Sequence, residues 1–191
     1  MRIVGGEFRG RVLHAPPGRG VRPTSERVRE AIFNILSHGV CDPRGARVID
    51  SFAGTGAFGL EALSRGAEFA LFVDNSETSL AALGRNIVAL KLTERTKIFR
   101  RDAAALSMIP AGVAPFSLAF LDPPYGLGLL APALQSLLNG GWLVHGACIV
   151  LEMRAQEEIS PPRSTIEIDT RFYGETKIKL LTIAVPGQVP G

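Results

Sequence analysis

The sequence has only two cysteines and three histidines. Cys41 and Cys148 stand far apart with no C-x-x-C spacing. His14, His38 and His145 never fall at the i, i+4 separation of a helical zinc site, so no metal site is implied. No apolar run approaches the ~18 residues of a membrane span, and the opening MRIVGGEFRGR puts charge where a signal peptide needs an apolar stretch. These absences predict a soluble protein of the reducing cytoplasm. Lysine is missing from the first thirty residues, which carry Arg2, Arg9, Arg11, Arg19, Arg22, Arg27 and Arg29 against Glu7, Glu26 and Glu30, an excess of four positive charges. Since the whole chain is +3, the rest is about −1. Arginine without lysine suits a surface that grips phosphate with a fork of donors. A solvated basic face is the plainer alternative.

What is present is a chain of 191 residues, 46% hydrophobic, enough to bury a core without staples. One domain over 1–185 is expected: a basic hairpin and Pro/Gly-rich connector over 1–22, a helix and α/β core over 23–185, and a frayed tail over 186–191. A monomer is the default. RIVGGEFRGRVLHA reads as two short strands around Gly5-Gly6 or Gly10, carrying Arg9 and Arg11. Thr24 or Ser25 caps a helix whose apolar face is Val28, Ile32, Ile35 and Leu36, ending at Gly39. Arg22, Arg27 and Arg29 crowd its start, where the helix dipole disfavours cations but favours an incoming phosphate.

From Arg47 the pattern alternates. Strands are expected over 47–53, 69–75, 97–103, 116–122 and 148–153, and helices over 59–67, 78–92 and 131–139. A closing pair, 164–172 and 176–185, turns at Tyr173-Gly174-Glu175. Short apolar strands between amphipathic helices predict an α/β, Rossmann-like, mostly parallel sheet with an antiparallel edge.

DSFAGTGAFG follows the first of these strands and opens a helix. Gly54, Gly56 and Gly59 match G-x-G-x-x-G, the dinucleotide fingerprint, and Asp74 stands where an acid takes ribose hydroxyls, so a nicotinamide oxidoreductase is a rival. Asp50, at the strand tip, opposes a pyrophosphate there. It tolerates S-adenosylmethionine (SAM), which has an ammonium, a carboxylate and a sulfonium but no phosphate. The glycine loop then serves close backbone approach, with Phe52, Ala53, Gly54 and Gly56 around the cofactor and Asn75 beside Asp74. Phe52 and Phe58 also serve packing beneath the loop. Asp102, with Ala103 after it, ends the third strand where it can accept from an adenine amine. Asp50, Asp74 and Asp102 thus end three successive strands, where ligands bind in such sheets.

The fourth strand ends in Asp122-Pro123-Pro124-Tyr125 and opens into the same crevice. An exocyclic amine on a nucleobase is a poor nucleophile because its lone pair is delocalised into the ring. Two acceptors aimed at its N–H bonds oppose that delocalisation: the Asp122 carboxylate and the Pro123 carbonyl, held rigid because prolines limit the chain. Tyr125 is the platform for the base face, a contact worth roughly 1–3 kcal/mol whatever the base. These four residues suit an amine on a planar ring and do not choose between adenine N6 and guanine N2.

DPPY after DSFAGTG resembles the nucleic-acid amino-methyltransferases. RIVGGEFRGR, VRPTSERVREAIFNIL, FAGTGAFGLEALSRGA and RFYGETKIKL are similar to the RsmD family, over Met1 to about Val185. That resemblance implies a seven-stranded SAM-dependent fold with an N-terminal hairpin. It also implies methylation of a guanine N2 amine in 16S ribosomal RNA presented within the small ribosomal subunit. Ser51 stands where the family commonly has a bulky aliphatic, and Thr55 where serine is common. Arg9, Arg11, Arg22, Thr24, Arg29 and Tyr173 are then the candidate RNA contacts. An RNA-binding assembly factor with a vestigial pocket is the non-enzymatic alternative.

Overall fold

The computed structural model describes residues 1–15, 25–39 and 41–185. The connector that holds Arg22 and Thr24 lies outside them, as does the tail 186–191. The elements run α1 (Glu26–His38), β1 (Arg47–Ser51), α2 (Ala57–Ser64), β2 (Phe69–Asp74), α3 (Glu77–Ala89), β3 (Thr96–Arg100), β4 (Phe116–Leu121), α4 (Leu130–Asn139), β5 (Leu143–Arg154), β6 (Thr165–Tyr173) and β7 (Thr176–Ile183).

The strands form one seven-stranded sheet in the order β3-β2-β1-β4-β5-β7-β6. β1 to β5 are parallel, and β7 runs antiparallel to both β5 and β6. Both faces of the central strands are covered, which is why they read as continuous apolar runs instead of alternating ones. Val48, Phe72, Phe120, Val150 and Leu180 pack on one face with Ile32 and Phe33 of α1 and Leu60 of α2. Ile49, Leu71, Ala119, Leu151 and Leu181 pack on the other with Leu134 of α4 and Trp142. Trp142 is fully buried and donates from Nε1 to Ser107 O at 2.8 Å, tying the end of α4 to the β3–β4 connection.

Ser25 is the residue that caps α1, its hydroxyl accepting from Val28 N at 3.1 Å. The N-terminal hairpin is present in reduced form. Ile3 N donates to Arg11 O, Gly10 N to Ile3 O and Leu13 N to Met1 O, with a single bridge between Arg2 and Val12 in place of two strands. β5 begins five residues earlier than the apolar run 148–153; Val144, His145 and Gly146 (φ 74°) are exposed, so this part of the strand carries no continuous apolar signal. The two cysteines are 107 residues apart in sequence, yet Cys41, just after α1, is disulfide-bonded to Cys148 in β5. Among the described residues no helix is long and apolar enough to cross a membrane.

Candidate active site

β1 lies between β2 and β4, and the chain winds outward from it in both directions. Such a reversal opens a crevice at the strands' carboxyl ends. Ser51 stands in register with Val73 of β2 and with Leu121 of β4. The loop after Ser51 and the Asp122 motif after Leu121 therefore leave adjacent strand tips side by side.

The loop is forced tight. Phe52 (φ 63°), Gly54 (φ 55°) and Gly56 (φ 81°) are all left-handed, and Phe52 carries a cost of about 1–2 kcal/mol that only glycine escapes. Gly56 also needs its hydrogen: a Cβ there would stand 2.4 Å from Leu83 Cδ1. Hydrogen bonds hold the loop from several sides. Ala53 N donates to Val73 O at 3.0 Å, Gly54 N to Asp74 Oδ2 at 2.8 Å, and the Asn86 amide to Thr55 O at 3.0 Å. Asn86 is buried in α3 and was not anticipated, although an amide among the apolar residues of that helix is a visible signal. Phe58 stacks on Phe120, centroids 4.9 Å apart, which is packing beneath the loop.

Asp50 is 2% exposed, and its Oδ2 accepts from Gly59 N at 2.9 Å in the first turn of α2. Burial pushes its carboxyl up to about 8, against the Gly59 hydrogen bond that favours the anion. A carboxyl oxygen thus already occupies an amide at the helix N-terminus where a dinucleotide would seat its pyrophosphate. That arrangement fits a cofactor without phosphate. Asp74 is half-buried and accepts from Ser76 N on its second oxygen at 2.8 Å, with Asn75 exposed beside it. Asp102 is exposed and caps the short turn Ala103–Ala105 through Ala104 N at 2.9 Å, while Ala103 is buried.

In the motif itself Pro123 is buried, Asp122 and Tyr125 are half-buried, and Pro124 is exposed. Tyr125 Oη donates to Glu152 Oε1 of β5 at 3.1 Å and lies 3.3 Å from Thr176 Oγ1 of β7. Its hydroxyl is pushed up to about 12, by burial first, with the charges of Glu152 and Asp122 adding to it. Gly126 N donates to Glu157 Oε1 at 3.0 Å, fixing the exit of the motif. A cavity of about 290 Å³ opens beside it, lined by Pro123, Pro124, Gly126, Leu130, Met153 and Glu157. Tyr173 pairs with Thr176, so the β6–β7 turn borders the same mouth. Glu152 and Glu157 escaped the sequence reading because they are distant from the Asp122 motif and belong to no motif, and Thr176, although within RFYGETKIKL, is far from Tyr125 in sequence.

The candidate RNA contacts are not brought together. Arg29 is fully buried, with Nε 3.6 Å from Glu61 Oε2, and it donates to Arg2 O and toward Met1 Sδ. It cannot reach an external phosphate, so that reading is withdrawn; a helix-start arginine that looked solvent-facing was one packed under the hairpin. Arg9 and Arg11 are exposed. The hairpin turn bonds to Ser64 at the end of α2, and Arg11 donates to Ala89 O at the end of α3 at 2.9 Å. Crossover helices run back along the sheet, so both arginines lie toward the strands' amino ends, while His14 at the end of the hairpin segment reaches Asn86, which bonds Thr55 O of the loop. Arg22 and Thr24 fall outside the described residues.

The sequence model of a family described as conserved hypothetical protein 95 matches residues 1–182. Ribosomal RNA small subunit methyltransferase D of Escherichia coli K12 is 37% identical over 156 residues, which cover 82% of this chain and 76% of that protein. The protein of the same name from Haemophilus influenzae Rd is 32% identical over 181 residues, covering 94% and 92%. The solved structure of Escherichia coli yhhF matches with a TM-score of 0.83 at 30% identity, covering 96% of this chain and 98% of that one.

Proposed function

Because the chain belongs to the RsmD family, we propose that it transfers a methyl group from SAM to the N2 amine of a guanine in 16S ribosomal RNA. It acts on the assembled or assembling small subunit, in the cytoplasm and as a monomer. The observation that carries this reading is the register of Ser51 with Leu121, which sets the glycine loop and the Asp122 motif on neighbouring strand tips.

The residues that would hold the cofactor are the loop Phe52 to Gly56, with Asp50 beneath it, Asp74 and Asn75 for the ribose hydroxyls, and Asp102 and Ala103 for the adenine. When bound, the sulfonium supplies an already activated methyl group, so transfer needs mostly positioning. The target guanine leaves its helix at a cost of a few kcal/mol and stacks on Tyr125. Asp122 and the Pro123 carbonyl accept from its N2–H bonds and restore lone-pair density to the nitrogen. No strong base is needed before attack, since the amine becomes acidic only once methylated; the proton then passes to Asp122 or to water. Arg9 and Arg11 hold RNA remote from the target, and Tyr173 approaches the base from the β6–β7 turn.

Mass mapping of methylated nucleosides after incubation with labelled SAM, on naked 16S RNA and on small subunits, tests base, atom and substrate form together. N2-methylguanine is expected; N6-methyladenine, or no product with either substrate, overturns the proposal. Asp122→Ala is expected to lower turnover by roughly 10²–10³-fold, the scale of losing one preorganised electrostatic group, with SAM affinity kept. Saturation with SAM at 100 times its Kd stabilises the fold by about 2.7 kcal/mol; protection by NAD instead would point to the oxidoreductase.

A further inference from the structure

The mouth of the site is acidic. Asp122, Glu152, Glu157, Glu158 and Glu175 lie on β5 and on the segments that follow β4, β5 and β6. A polyanion arriving there needs a cation close to the reacting base, and among the described residues the two lysines of β7 are already paired. Lys177 is buried with Nζ 2.8 Å from Glu158, and Lys179 has Nζ 2.5 Å from Glu167. Arg29 is buried, and Arg9 and Arg11 sit at the far end of the sheet.

Arg154 is the last residue of β5 and is exposed. Its guanidinium lies over the Tyr125 ring, 5.6 Å from the centroid, and no ion pair engages it among the described residues. Its backbone is pinned. Arg154 O accepts from Glu157 N at 3.0 Å, Ala155 N donates to Glu175 O at 2.8 Å, and Arg154 pairs with Thr176 across the sheet. A side chain that starts from a fixed point and rests on an aromatic face keeps its charge beside that ring.

We infer that Arg154 binds a phosphate of the target nucleotide, clamping the RNA backbone at the mouth while the base stacks on Tyr125. The inference rests on the reading of Tyr125 as the base platform. Guanidinium suits both halves of the role: its charge is held over the aromatic ring and its fork of N–H donors matches two phosphate oxygens. The basic N-terminal hairpin then serves general attraction, and Arg154 serves local placement.

The test uses the full chain and small subunits from cells that lack this methylation, with the parent, Arg154→Ala, Arg154→Lys and the double change Arg9→Ala/Arg11→Ala. KM for subunits is measured with kcat from 50 to 200 mM salt, alongside SAM affinity and thermal stability. Arg154→Ala is expected to raise KM roughly 10-fold or more and to reduce the slope of log affinity against log salt by about one contact's share, ~0.7–0.9. SAM affinity and melting temperature stay unchanged. Arg154→Lys restores the slope but only part of the affinity, because an ammonium lacks the fork. A salt slope for Arg154→Ala equal to the parent's overturns the inference, as does a loss of SAM affinity or stability that accounts for the change in KM. A parent that leaves guanine unmethylated overturns the proposed function itself, and that outcome is visible without any variant.

Discussion

Tyr125 Oη donates to Glu152 Oε1 over 3.1 Å, joining the end of the Asp122 motif to the interior of β5. Glu152 is 4% exposed, and the same hydroxyl lies 3.3 Å from Thr176 of β7. The tyrosine proposed as the stacking platform is therefore oriented by two strands that lie outside the motif. A hydrogen bond to a charged group is worth about 1.5–3 kcal/mol, so Glu152→Ala is expected to cut kcat roughly 10- to 150-fold with SAM affinity kept. Glu152→Gln retains an acceptor and recovers most of the rate. If the glutamine protein is as slow as the alanine one, negative charge and not orientation is what Glu152 supplies.

Asp50 predicts a pH dependence of stability. Its folded pKa of about 8 lies above its ordinary 3.8, so between those values the folded chain holds a proton that the unfolded chain lacks. Stability from this group is full below about pH 4 and is lost as pH rises through 8. Denaturation midpoints of the cofactor-free parent are expected to fall from pH 5 to 8.5 more steeply than those of Asp50→Asn, whose amide oxygen still accepts from Gly59. Parallel profiles would show that Asp50 ionises at its ordinary pH.

Arg29 and Glu61 form a buried ion pair, and Glu61 also meets Arg65 Nε at 2.8 Å. Burial outweighs its acidic neighbours and lowers the Arg29 pKa. Breaking such a pair costs about 3–5 kcal/mol, and Arg65 keeps Arg29→Met at the lower end. Urea unfolding is expected to show this loss while the salt slope of RNA binding stays at the parent value. A changed slope with unchanged stability would return Arg29 to the RNA surface.

The Cys41–Cys148 bond closes a loop of 107 residues in sequence separation. Constraint of the unfolded chain makes such a link worth typically 2–4 kcal/mol. Reductant is therefore expected to lower the unfolding midpoint of the parent and to leave that of Cys41→Ser untouched. Identical parent midpoints with and without reductant would show that the bond adds nothing.

Much of this molecule is local enough to be legible. The alternation of apolar strands and amphipathic helices, the Ser25 cap and the reversal at Tyr173-Gly174-Glu175 each depend on neighbours within a few residues. So does the glycine loop, since Gly56 is demanded by its own φ, although the contact with Leu83 that also requires it is tertiary. Arg29 misled because charge at a helix start is the same in sequence whether the side chain faces water or the underside of a hairpin. The Cys41–Cys148 contact was not legible because separation along the chain says nothing of distance across a fold.

Backbone dihedral preferences and side-chain periodicity act over short range, so the order of elements, the glycine loop after β1 and the acid-proline-proline-tyrosine exit from β4 are legible in the chain alone. The fold as a whole makes those two exits adjacent, sets Glu152 and Thr176 against the tyrosine hydroxyl and brings Arg154 over its ring. It also places Arg9 and Arg11 at the other end of the sheet. Those relationships follow from strand order and register, which are set by how the whole core closes and are written in no single segment.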